Sequence, residues 1–201
     1  MSNDSYYTIE RSAVAEYKDR GSKFIAYTFP IQTINEFKEK LTTIKKEHPK
    51  ASHYCFAYRI DVDGNNFRVN DDGEPSGTAG KPILGQIDSK QITNVLIIVV
   101  RYFGGTLLGK PGLINAYKTA SALALQITPI TQKPVLVNYR LQFDYTLLSE
   151  VMKIIKQFNC AIVKQEAQLF SMMEIAVPMS RVEVVLLRLK NFKIEIEEIR
   201  K

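Results

Sequence analysis

Six consecutive aliphatic residues, Val95-Leu96-Ile97-Ile98-Val99-Val100, stand between two glycine-rich segments, and no other feature limits the fold as strongly. A run with no polar alternation has both faces covered, which makes it a central strand with packed layers above and below. The segment before it reads Asp71-Asp72-Gly73-Glu74-Pro75-Ser76-Gly77-Thr78-Ala79-Gly80-Lys81-Pro82. The segment after it reads Arg101-Tyr102-Phe103-Gly104-Gly105-Thr106-Leu107-Leu108-Gly109-Lys110-Pro111-Gly112-Leu113. Together these flanks hold seven of the ten glycines. Glycine costs roughly 0.5 to 1 kcal/mol in regular structure and is used where backbone needs positive φ or a close approach. The two loops are therefore where function is sought.

Length and charge narrow the classes. At 201 residues the chain suits one large domain or two small ones, and 45% hydrophobic with 24% charged residues is a globular composition. The net charge of +6 fits a polyanionic partner only mildly. No basic tail announces nucleic acid. The start, Met-Ser-Asn-Asp-Ser-Tyr-Tyr, has no signal-peptide pattern, and the longest aliphatic run is far short of the roughly 20 residues that span a bilayer. A cytoplasmic protein with reduced thiols and no membrane partner is expected. Cys55 and Cys160, each placed in an expected strand, make no disulfide framework. With only His48 and His53 beside them there is no metal-ligand spacing, and no metal or cofactor is expected.

Along the chain, Ser22 to Pro30 reads as a strand. Thr33 and Glu36 form a capping box for a helix carrying Ile34, Phe37, Leu41 and Ile44, which closes before Pro49. Ala51 to Asp61 and Asn66 to Asn70 read as strands joined through Asp63-Gly64, a hairpin dipeptide. A short helix is expected over Lys81 to Asp88, the buried strand over Thr93 to Arg101, and a helix from Pro111 to Ile127. Thr128 to Pro134, with two prolines and no periodicity, is expected to link a domain spanning residues 1–130 to one spanning 135–201. The second domain shows strands at Val135 to Phe143, Cys160 to Glu166, Leu169 to Val177 and Ile194 to Ile199. Helices over Thr146 to Phe158 and after a Ser180/Glu183 capping box fall between them. The order β-α-β-β-α-β is that of the ferredoxin-like unit, so the class is α+β. That superfold hosts many functions and names none.

Three chemistries are open. Gly77, Thr78, Gly80 and Lys81 in the first loop, with Arg101, Gly104, Gly105, Gly109 and Lys110 in the second, could bind an anion. Amides at a helix N-terminus beside an ammonium attract phosphate or carboxylate. Neither loop is a Walker or Rossmann fingerprint, and tight packing explains the glycines equally well. Asp71, Asp72 and Glu74 could act as acid, base or metal ligands, although acidic residues beside Gly and Pro are also common turn formers. His53 and Cys55 share a strand face about 7 Å apart, too far for a dyad within one strand. Arg59, Arg68 and Arg101 with Tyr58, Tyr102 and Phe103 supply the cations and aromatics that suit single-stranded RNA.

At Gly21 to Ala26, Ala51 to Arg59, Asp71 to Leu84, Arg101 to Gly105 and Leu108-Gly109, the chain resembles the YigZ/IMPACT family. The resemblance covers residues 1 to about 130, and the remainder is similar to the C-terminal domain of YigZ-type members. It implies an N-terminal α/β domain like the second domain of a small-subunit ribosomal protein, and a C-terminal domain like one in elongation factor G. It also implies a link to translation or nucleic acid. For IMPACT members the implied role is restraint of an amino-acid-starvation kinase by competition for its activator. Where the family usually reads Gly-x-Gly-Gly-Leu-Val-Arg-Ala-Tyr, this chain has Gly109-Lys110-Pro111-Gly112-Leu113-Ile114-Asn115-Ala116-Tyr117. Pro111 removes an amide, and Asn115 replaces a cation. The leading expectation is a non-enzymatic regulator whose glycine loops hold RNA or the ribosome. The alternatives are a hydrolase-type enzyme for a phosphorylated or carboxylated substrate, and loops that serve packing alone.

Overall fold

The computed structural model describes residues 4–167 and 171–199. It is a mixed α+β structure that divides into two compact units. One is Tyr6–Lys133; the other holds the residues from Pro134 on together with Asp4 and Ser5.

The first unit contains β1 (Ser5–Ile9), β2 (Ala13–Asp19), β3 (Ser22–Pro30), α1 (Ile34–Glu47), β4 (His53–Ile60), β5 (Asn66–Asn70), α2 (Gly80–Ser89), β6 (Val95–Tyr102), α3 (Gly109–Gln126) and β7 (Ile130–Pro134). Five of its strands form one sheet in the order β2-β3-β6-β4-β5, and every neighbour is antiparallel. The aliphatic run is thus the central strand. Val95, Ile97 and Val99 point into one core with Ile83 and Ile87 of α2 and Leu113, Tyr117, Ala120 and Ala124 of α3. Leu96, Ile98 and Val100 point into the other core with Phe37 and Ile44 of α1. All six are fully buried, a contribution of about 1.5 to 3 kcal/mol for each of the larger side chains.

α1 begins as its capping box dictates. The Glu36 amide donates to Thr33 Oγ1 at 3.2 Å, and the Glu36 carboxylate accepts the Gln32 amide at 2.8 Å. Phe37 then packs on Phe56 and Tyr58 with ring centroids 4.7 and 5.0 Å apart. The β4–β5 connection is wider than a two-residue hairpin: Ile60 pairs with Asn66, and Asp61 as well as Gly64 adopts positive φ.

Several features differ from the sequence reading. The polar start contains β1 and β2, and the segment expected to be a linker contains β7, which pairs with β1. Cys160 lies just ahead of its strand, not within it, while Cys55 is inside β4; both are free thiols.

The second unit contains β8 (Leu136–Phe143), α4 (Leu148–Gln157), β9 (Ala161–Ala167), β10 (Ser171–Pro178), α5 (Val182–Lys190) and β11 (Glu195–Ile199). Its sheet runs β11-β8-β10-β9, antiparallel throughout. Leu141, Ile175 and Val177 pack under Val151 and Ile154 of α4 and Val185 and Leu189 of α5. The chain enters α5 through a 3-10 turn at Met179–Arg181, with no side-chain cap, so the expected Ser180/Glu183 box does not form. Leu169, the expected start of β10, lies outside the described residues. Among the described residues no helix is long and apolar enough to cross a membrane.

Candidate functional site

The sheet of the first unit brings both glycine segments to the ends of β4, β5 and β6, but it uses them differently. The first segment is turned inward. Asp71 accepts the amides of Gly77 (2.9 Å), Ala79 (2.9 Å) and Gly80 (2.8 Å), so the anion held by this loop and by the N-terminus of α2 is the chain's own carboxylate. Burial pushes the Asp71 carboxyl up, but those three amides and nearby Lys81 more than offset this and hold it below the usual aspartate range. Thr78 is buried with its hydroxyl on Pro75 O at 2.7 Å. A Cβ on Gly80 would lie 2.8 Å from the Asn70 backbone, so this glycine serves close packing. Of the four anion-binding candidates in this loop, Lys81 alone is exposed. The amides expected to face a partner are already engaged.

The acidic candidates separate in the same way. Asp72 accepts the Tyr54 amide at 2.7 Å and sits at positive φ, a turn-forming role. Glu74 is different, because its side chain is buried and Oε1 gathers Arg101 Nη1 at 2.6 Å and the Tyr117 hydroxyl at 2.7 Å. Tyr117 in turn lies 3.3 Å from Cys55 Sγ. Burial raises the Cys55 thiol far above its ordinary value despite that hydrogen bond, and burial likewise raises Tyr117. Cys55 is therefore a neutral structural thiol, not a nucleophile. His53 Nδ1 is 2.8 Å from the Asp72 carbonyl, which can only accept, so Nδ1 carries the proton. In the neutral ring that leaves Nε2 unprotonated, 3.9 Å from Glu74 Oε1.

Arg101, counted among the anion ligands from the sequence, has its charge matched by Glu74 and lies between the Phe24 and Phe103 rings, at 5.4 and 5.5 Å. Its Nε has no hydrogen-bond partner. Among the other residues expected near an RNA, Arg59 is held by Asp88 at 2.6 Å, and Tyr58 is buried.

The second segment faces outward. Gly104 is pressed on Gly21, where a Cβ would come within 1.9 Å of a backbone carbon, and its amide donates to Ser22 Oγ at 3.2 Å. Gly105 and Gly109 adopt positive φ, and both are exposed, as is Lys110. α3, which begins at Gly109, has no side-chain cap and no acidic residue in its first turn. Its first amides have no acceptor within the helix, and Pro111 contributes none. Asn115 is exposed in the second turn of α3. Between this loop and the ends of β4 and β6 lies a cleft of about 520 Å³, lined by His53, Glu74, Arg101, Phe103, Leu107 and Lys110, among others. Sequence reasoning found His53, Glu74, Arg101, Phe103 and Lys110 among these; it missed the role of Tyr117, which holds Glu74 from behind and was hidden in the apolar stripe of α3. Among the described residues no cluster of three or more His, Cys, Asp or Glu could hold a metal.

The comparisons with known proteins include this region. The Impact N-terminal domain matches residues 20–125. The IMPACT family member YigZ of Escherichia coli (strain K12) is 33% identical over 177 residues, covering 87% of this chain and 85% of that one. The IMPACT family member YvyE of Bacillus subtilis (strain 168) is 35% identical over 147 residues, 73% of this chain and 68% of its own. A crystal structure described as that of a hypothetical protein superposes with a TM-score of 0.79 at 28% identity, covering 98% of both chains. With its glycine loops and its central strand inside the matched segment, the chain belongs to the IMPACT family.

Proposed function

We propose that this protein is a non-enzymatic, translation-associated regulator that binds an anionic partner, RNA or the ribosome, through the second glycine loop and the start of α3. One observation carries the reading. The first turn of α3 is uncapped, free of acidic side chains and flanked by exposed Gly109 and Lys110, so its positive end faces solvent beside a cleft. The family resemblance supports the translation link. On the same reading the first unit takes the fold of the second domain of a small-subunit ribosomal protein, and the second unit is ferredoxin-like. The β-α-β-β-α-β order and the sheet order β11-β8-β10-β9 support the latter.

Co-sedimentation with ribosomes and with single-stranded RNA across a salt series tests this. Binding falls steeply as salt rises, and Lys110→Ala weakens it at every sequence and lowers the salt slope by about one. Association that is absent, or indifferent to salt, contradicts the proposal.

A second reading is favoured by one feature, His53 on the cleft wall with its Nδ1 on the Asp72 carbonyl and its Nε2 3.9 Å from buried Glu74. There His53 is a general base for a phosphorylated or carboxylated substrate. Under this reading, a metabolite screen finds a turnover that His53→Asn abolishes without unfolding the chain.

A further inference from the structure

We infer that a string of rings on the α1 face of the first unit's sheet, Phe29, Tyr27, His48 and Tyr102, is a track for single-stranded RNA. Bases stack on the rings, and phosphates sit at Lys40 and Lys45. The inference rests on the RNA reading above and adds a surface to the glycine loop named there.

The string follows from how α1 sits on the sheet. Phe29 and Tyr27 are two apart on β3 and so share one face, where Tyr102 of neighbouring β6 and Tyr54 of β4 pack at the border of the same core. α1 closes the middle of that face by setting Phe37 on Phe56 and Tyr58. The strip over β2 and β3 stays open, and Val14, the cross-strand partner of Tyr27, is 49% exposed. Phe29, Tyr27, His48, Tyr54 and Tyr102 are all half-buried, so each is fixed by the core and still keeps surface in solvent. Their contacts run without a break. The Phe29 and Tyr27 rings are parallel within 3° with centroids 6.1 Å apart, Tyr27 lies 5.6 Å from His48, and His48 lies 6.0 Å from Tyr102.

His48, the C-cap of α1, fixes what the string displays. Its ring nitrogens meet the hydroxyls of Tyr27 at 2.6 Å and Tyr102 at 2.9 Å, and its carbonyl accepts the Tyr54 hydroxyl at 2.5 Å. With three phenol hydroxyls engaged inside the protein, the tyrosines offer a ligand ring surface and not hydrogen bonds. That favours stacking, which every base supplies whatever the sequence. Charge complementarity names the other half of the ligand. Lys40 Nζ stands 5.5 Å from the Phe29 centroid and Lys45 Nζ 5.3 Å from the Tyr54 centroid, and among the described residues neither is in an ion pair. The nearby anions are Glu16, already held by Lys18 at 3.2 Å and Lys23 at 2.5 Å, and Glu47, whose charge reaches Tyr27. Open rings beside unpaired ammonium groups match a chain of bases and phosphates. An acidic protein segment brings the charge without the stacking faces, and a duplex keeps its bases stacked inside. Tyr102 is followed directly by Phe103 and Gly104, so the string ends where the second glycine loop begins, and one strand can lie along both.

Fluorescence anisotropy of the full-length protein with labelled oligo(U) and oligo(A) RNA dodecamers across a salt series tests the track. An RNA duplex of the same length and a polyglutamate dodecapeptide serve as competitors. Both single strands are expected to bind, and both competitors to bind more weakly. Phe29→Leu, which keeps an apolar side chain and removes the ring, weakens both strands by roughly tenfold. The double variant Lys40→Ala/Lys45→Ala lowers the slope of log affinity against log salt by about 1.4, since each phosphate contact on a single strand contributes about 0.7. Thermal melts check that the variants fold. Lys40 and Lys45 are exposed helix positions that accept alanine, so the double variant decides the matter if Phe29→Leu is destabilised. Affinity and salt slope unchanged in both variants, or a duplex or polyglutamate bound as tightly as the single strands, overturns the track. If Lys110→Ala weakens RNA binding while neither Phe29→Leu nor the double variant does, the track fails and the glycine-loop reading stands. If the reverse holds, the track stands and the loop falls as the RNA contact. If no RNA binds, both fall.

Discussion

Glu74 and Asp71 lie three residues apart in the same loop, yet the structure gives them opposite kinds of partner. Glu74 faces a buried guanidinium, so its removal leaves the Arg101 charge desolvated and unmatched. Breaking a buried ion pair from one side costs about 3 to 5 kcal/mol. Glu74→Ala is expected to lose that much in urea denaturation, and a loss under about 1 kcal/mol would show that water or movement compensates the arginine. Asp71 faces three amides, and its carboxyl is held below the usual range by them against the opposing effect of burial. A depressed folded value means that its contribution is complete above the unfolded value, about 3.9, and is lost as pH falls through the folded value. Asp71→Asn should therefore cost about 1.5 to 3 kcal/mol at neutral pH, and its stability should converge on that of the unchanged protein in acid. A stability gap that stays constant down to pH 2 would mean that the hydrogen bonds do not depend on the charge.

The elements that meet at Gly21 and Gly104 show why glycine content alone cannot rank positions. Gly104 has no room for a side chain, since a Cβ would lie 1.9 Å from the Gly21 carbonyl carbon and 2.3 Å from the Ser22 nitrogen. Gly105 has open space but a φ of +85°. Alanine at Gly104 has to separate the β3 and β6 ends and should cost roughly 3 kcal/mol, while alanine at Gly105 pays the left-handed conformation alone, about 1 to 2 kcal/mol. Thermal melts of the two variants check the order, and equal losses would contradict the packing role of Gly104. The central position of β6 was legible because six aliphatic residues in a row have no other stable place. The capping box of α1 was legible because both partners lie within four residues. The anion in the first loop was not, because Asp71 reaches amides six to nine residues on, and whether it does depends on how the turn closes. Tyr117 reaches Glu74 across 43 residues, a contact that no local pattern encodes.

At the scale of the whole molecule the least legible part was the end of the first unit, where Ile130–Pro134 carries no strand periodicity and exists as a strand by pairing with β1. That pairing brings the start of the unit to its end, with Ile9 buried in the core and the Thr128 hydroxyl 3.0 Å from that of Thr28 in β3. The unit closes on itself by long-range pairing and ends at Lys133, within the segment that the two prolines suggested as a linker. A fragment of residues 4–135 keeps both strands and should unfold in urea as one cooperative transition with its near-ultraviolet tyrosine signal intact. A fragment ending at residue 127 loses β7 and Thr128, strands the edge of β1 and should be roughly 2 to 4 kcal/mol less stable, the worth of a few net hydrogen bonds. If the two fragments unfold at the same urea concentration, closure by β7 contributes nothing. The unit's end then lies at α3, as far as stability is concerned.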